Sequence, residues 1–302
     1  MTLAEVNRLT KRFGAPGRIG FRMDGRGLPV AVLACKFGYA EVSLYGARVL
    51  TYKPTGHAPV LFLGKDAAPV SPSAAPTLPP GGIAPCWPWF GPAAEGSGGI
   101  EHGFARREEW SVVSTSYSDD VTELSLGLVD SPETKAFFPY SFALMLHVTL
   151  GMSFKVELTA RNAGIAPMTL TEGLLPCFRV MRIEEVRLEE VDGAAVENRL
   201  TGEKSRQEGG LVVEKEHDAL YFPRRAYVCL VDQTLRRKID LLFTGAKSVA
   251  VWNPGEGASG GFAEGENRQM LCVGPVNAPG HPVKLKPGEK HTLGMTVQSK
   301  LL

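Results

Sequence analysis

FALMLHVTLGMSFKVELTARN, residues 142–162, decides the fold. Phe142, Leu144, Leu146, Val148 and Leu150 alternate with Ala143, Met145, His147 and Thr149. After Gly151-Met152, Phe154, Val156 and Leu158 alternate with Lys155, Glu157 and Thr159 until Asn162-Ala163-Gly164. A period of two on both sides of a glycine turn predicts a β-hairpin with one buried face. Working outward, Leu124, Leu126 and Leu128 repeat the pattern after Ser118-Asp119-Asp120. Further strands are expected over 40–52, 226–232, 238–243, 248–252, 270–275 and 291–299. Long helical periods and βα alternation are missing, so the expected class is all-β, a large antiparallel β-sandwich. Such folds can run this long as a single domain, 1–302, in which Leu3, Val6 and Leu9 make 1–14 a short helical lead-in.

Composition narrows the function classes. Lys plus Arg is 33 and Asp plus Glu is 32, a net charge of +1. That balance gives no electrostatic case for nucleic acid or an anionic membrane. No stretch has the length of a membrane span, and the N-terminus lacks a signal-peptide core. The five cysteines, at 35, 86, 177, 229 and 272, form no C-x-x-C pair. Five free thiols in a reducing, cytoplasmic setting are therefore expected, with no zinc site. Two segments break the strand rhythm and read as loops: 66–80 with five prolines and 254–265 with five glycines. The second lacks both common phosphate-cradle patterns.

GGIAPCWPWFG, residues 81–91, precedes HGFAR, residues 102–106. Trp87, Trp89 and Phe90 between prolines form a stiff apolar wall that closes a core or lines a pocket. The two motifs, with Trp110, resemble those of the hexose-6-phosphate mutarotases (glucose-6-phosphate 1-epimerases). These form a branch of the galactose mutarotase-like aldose 1-epimerase superfamily. SPETKAFFPYSF (131–142), EGLLPCFRV (172–180), VWNP (251–254) and LCV (271–273) follow in order, so the resemblance covers roughly 30–298.

The resemblance implies a large antiparallel β-sandwich, a sugar or sugar-phosphate ligand, and no cofactor or metal. It names no protein partner. It implies an acid His, a base Glu, a second His, an Asp and arginines around the sugar. The second His and its Arg match His102 and Arg106, and Trp87, Trp89 and Phe90 match the wall. The acid, in a motif like A-L-H-T-Y-F, falls on Leu175. The base, in a motif like C-V-E-T-A, falls on Gly274. An Arg before the Gly-Gly pair falls on Pro80, and the Asp falls near Gly261.

Leucine and glycine cannot titrate, and proline cannot pair with phosphate. The expectation is a carbohydrate pocket without the family's proton-transfer groups, a pseudoenzyme of isomerase ancestry. The alternative is an active mutarotase with displaced groups. Glu256, Glu264 and Glu266 on the glycine-rich loop and Cys177, two residues from Leu175, are the stand-ins to weigh. His57, His147, His217, His281 and His291 match no family site.

Overall fold

A computed structural model describes residues 1–65, 78–92, 100–256 and 261–302. Most of the proline-rich segment and part of the glycine-rich loop lie outside the described residues.

The hairpin forms as its alternation requires. Strands Phe142–Leu150 and Phe154–Asn162 pair antiparallel from Phe142↔Asn162 to Leu150↔Phe154. Phe142, Leu144, Leu146, Val148, Phe154, Val156 and Leu158 all point into the core. Among the described residues these strands belong to an eight-stranded sheet that faces an eleven-stranded one, with a two-stranded ribbon at the side. All pairings between the described strands are antiparallel, with one apolar core gathering side chains of both sheets. Tyr52 of the larger sheet stacks on Phe154 of the smaller at 4.3 Å. The lead-in is a helix, Leu3–Phe13, capped by Thr2 and Glu5, with Val6 buried.

Two sequence expectations are corrected. Residues 40–52 are two strands, Gly38–Ser43 and Val49–Pro54, because the chain turns at Gly46-Ala47. The cysteines are not all free. Cys177 and Cys272 are register partners on neighbouring strands, their Cα atoms 4.1 Å apart, and they form a disulfide. That spacing suits a directly opposed, non-hydrogen-bonded antiparallel pair. Cys35, Cys86 and Cys229 are free.

The larger sheet positions the site. Its middle strands lie in the order Val49–Pro54, Ile83–Cys86, Glu172–Arg179, Met270–Asn277, Ser248–Asn253 and His217–Phe222. Residues far apart in sequence thus come side by side on the face turned away from the other sheet.

Candidate functional site

The two aromatic motifs are knitted into one unit. Trp87 donates its backbone N–H to His102 O, and Ala105 donates to Trp87 O, each at 3.2 Å. His102 N–H donates to Gly91 O at 2.8 Å, and Gly91 N–H returns a bond to His102 Nδ1 at 3.1 Å. His102 has a left-handed φ of 58°, and Gly103 follows at 75°. A Cβ on Gly103 would overlap the Trp87 carbonyl, so only glycine allows this approach. The HGFAR sequence is therefore a fitting against the CWPWFG run, set by backbone contact.

The wall divides. Trp87 is 0% exposed and lies in the core against Phe104, Phe138 and Phe142, with ring centroids 4.4–5.8 Å away. Half-buried Trp89 donates Nε1–H to Ile100 O at 2.8 Å. The structure places neither tryptophan among the residues that line the cavity beside them, while Phe90 does line it. Their indoles were drawn into the sheet interface, where burying a large ring is most favourable.

The cavity measures ≈ 810 Å³. His102, Arg106 and Leu175 line it, as do Pro80 and Gly261. Five of the positions implied by family resemblance therefore converge on one cleft, although three of them, Pro80, Leu175 and Gly261, lack the implied side chain. Gly274 sits opposite Ala250, which lines the cavity, but Gly274 itself is closed off. A Cβ there would overlap the Leu174 carbonyl oxygen and Pro176 Cδ. Pro176 lies where the ladder between Glu172–Arg179 and Met270–Asn277 is interrupted, between the pairs Gly173↔Val276 and Cys177↔Cys272.

The carboxylate stand-ins weighed from sequence lie outside the cavity lining. Glu256 is exposed and paired with Arg268 at 3.3 Å, and Glu264 is exposed. Glu266 is buried, but its carboxylate accepts from Lys65 N–H at 2.6 Å and Ala263 N–H at 2.9 Å. Cys177 lines the cavity as half of the disulfide and does not titrate. Of the other histidines, His147 bonds Ser125, His217 bonds Tyr221 and His291 bonds Glu172; His57 is half-buried and His281 exposed, and none lines the cavity.

Sequence reasoning missed Arg48, Arg199 and Asp218, which join Arg106 and Arg107 in the cavity wall, and the rings of Trp252 and Phe262. Arg48 is 5% exposed; it donates Nη1–H to Pro79 O at 2.7 Å, and its Nε has no partner among the described residues. Burial, and then the neighbouring Arg106 charge, pull its pKa down to about 9. Arg199 pairs with Asp218 at 3.1 Å and lies over the Phe90 ring at 4.9 Å. Burial raises the Asp218 pKa against the opposing pull of Arg199. Arg106 and Arg107 make no ion pair with a described residue. The only signal for Trp252 was its place in VWNP. Its neighbour Asn253 explains that motif by bonding Asn267 O and Met270 O, each at 2.8 Å, which anchors the loop. Among the described residues no group of three metal-ligating side chains occurs.

His102 is neutral. Burial, then Arg106 and Arg199, lower its pKa to about 4. Because Nδ1 accepts from Gly91, the ring proton sits on Nε2. In the unfolded chain its pKa returns to roughly 6.5, so acid protonates the unfolded state first. The stability held by neutral His102 is complete above pH 6.5 and is lost as pH falls toward 4. The expected loss from this group is about 2 kcal/mol at pH 5 relative to pH 8. His217, also lowered by burial, acts in the same direction. His291, raised chiefly by its bond to Glu172, acts oppositely: its stabilisation is full below the unfolded value and lost above the folded one. Urea titrations of the parent and His102→Gln at pH 5 and 8 isolate the His102 share, which should be missing from the variant's pH dependence.

A family model described as aldose 1-epimerase matches residues 33–298. A protein of Salmonella typhimurium, provisionally named glucose-6-phosphate 1-epimerase, is 28% identical over 254 residues, covering 82% of this chain and 83% of its own. A protein of Cenchrus ciliaris with the same provisional name is 31% identical over 266 residues, covering 83% and 78%. Among solved structures, a provisional mutarotase (YeaD) from Salmonella typhimurium superposes with a TM-score of 0.85 at 26% identity, covering 94% of each chain.

Proposed function

The chain belongs to the aldose 1-epimerase family, and from that membership we propose that its cavity binds an anionic sugar, such as a sugar phosphate, without exchanging its anomers through the family's acid–base pair. One observation carries this reading: Leu175 lines the cavity at the acid position, while the Leu174 carbonyl and Pro176 fill the space at the base position Gly274. Mutarotation needs one group to take the anomeric proton and another to protonate the ring oxygen. Each such group typically contributes about 10²–10⁴-fold. Binding needs less. Phe90, Trp252 and Phe262 offer flat apolar rings to the CH face of a sugar, and Arg48, Arg106 and Arg107 offer donors to an anion. No cofactor enters this reading.

A second reading has its own observation. His102 carries its proton on Nε2, and Asp218 has a raised pKa, in the same cavity. A mutarotase with displaced groups would use these two, with His102 donating to the ring oxygen and Asp218 taking the hydroxyl proton. The ion pair to Arg199 weakens Asp218 as a base, which favours the first reading.

Calorimetric titration with glucose 6-phosphate and with glucose tests the binding. The phosphate ester is expected to bind more tightly, to weaken as salt rises, and to lose about tenfold in affinity in Arg106→Ala. Equal affinity for both sugars, or no heat from either at millimolar concentration and low salt, would overturn it.

A further inference from the structure

We propose that the Cys177–Cys272 disulfide is a thiol-exchange site reached through the cavity, and that it takes small thiols bearing a negative charge. The bond is part of the cavity wall, because both cysteines line it. It joins two neighbouring strands just beyond the interruption at Pro176. Phe62, Phe262 and Met270 pack beside it, so the cavity is the route by which a small molecule reaches the sulfurs. Among the described residues the same cavity carries four arginines against two carboxylates, and Asp218 is already engaged by Arg199. A cleft of one charge concentrates ions of the other and speeds their encounter.

The chemistry balances with the thiol as the only co-reactant. A thiolate attacks one cysteine sulfur, an S–S bond forms to it, and the Cys177–Cys272 bond breaks with the electron pair leaving on the other cysteine. The arginines stabilise both the incoming and the departing thiolate. A second thiolate then attacks the mixed disulfide, which releases the oxidised small-molecule disulfide and leaves both cysteines reduced. The mixed adduct would stand beside Leu175 and fill the space of a ligand. The exchange needs the cavity and its cations, and holds whether or not a sugar is the resident ligand.

Protein isolated without reductant is treated with mercaptoethanesulfonate or with cysteamine, and the loss of the 177–272 cross-link is followed by alkylation and peptide mass. Rates are compared per thiolate. The anionic thiol is expected to react at least about tenfold faster at low salt. Its advantage should shrink as salt rises and in the Arg106→Gln, Arg107→Gln double variant. Saturating inorganic phosphate should slow it, with near-ultraviolet circular dichroism unchanged throughout. Equal rates for the two thiols, a rate that climbs with urea in step with global unfolding, or a protein isolated without the cross-link would overturn the proposal. The salt series reads the charge preference in the parent protein alone, independently of how well the double variant folds.

Discussion

Replacing Trp87 by alanine is expected to destabilise the fold by about 3–5 kcal/mol. The indole is 0% exposed, and its ring meets Phe142 of the opposing sheet at 4.4 Å, Phe138 at 5.2 Å and Phe104 at 5.8 Å. Alanine would leave a cavity where the two sheets meet, lined by rings that cannot collapse far. Trp87 Nε1 is buried without a partner among the described residues, so Trp87→Phe loses volume but relieves an unpaired donor and should cost less than alanine. Trp89→Ala should also cost less, since Trp89 is only half-buried. Urea denaturation of the three variants ranks them. A Trp87→Ala protein with parental stability and weakened ligand binding would return the residue to the cavity wall.

Gly274→Glu is expected to be damaging, with a loss of about 3 kcal/mol or more and no gain of activity. The family resemblance invites this substitution as a repair of the base. The geometry opposes it: the new Cβ would overlap the Leu174 backbone carbonyl and Pro176 Cδ, neither of which is the end of a flexible side chain. Adding Leu175→His supplies the acid but leaves the obstruction. Pro176→Thr removes the ring, so the triple variant should melt above the Gly274→Glu single variant. Thermal melting of the three proteins checks this order. A single variant that melts like the parent would show that the space at 274 is open.

What the sequence made legible depends on whether a signal was local. The hairpin 142–162 was readable because alternation and its turn lie within one short run. The break at Gly46-Ala47 was not, because apolar residues continue through it and hide the turn inside one apparent strand. The CWPWFG run marked an aromatic cluster, but alternate faces of a strand and its turn go to opposite surfaces. Sequence alone could not send Trp87 to the core and Phe90 to the cavity. The position of the cleft was readable through motif order, since Pro80, Leu175 and Gly261 all reach it. Its present chemistry was not. Arg48, Arg199 and Asp218 meet only through the strand order, and the disulfide joins cysteines 95 residues apart. No periodicity reports such a meeting.

The most direct measurement is the anomer exchange rate of glucose 6-phosphate by NMR, with micromolar protein, against buffer alone. With Leu175 lining the cavity and the space at Gly274 closed, the protein is expected to add nothing to the buffer rate. Acceleration of a hundredfold or more, surviving repurification and abolished in Asp218→Asn or His102→Gln, would contradict the account and place the proton transfers on that displaced pair.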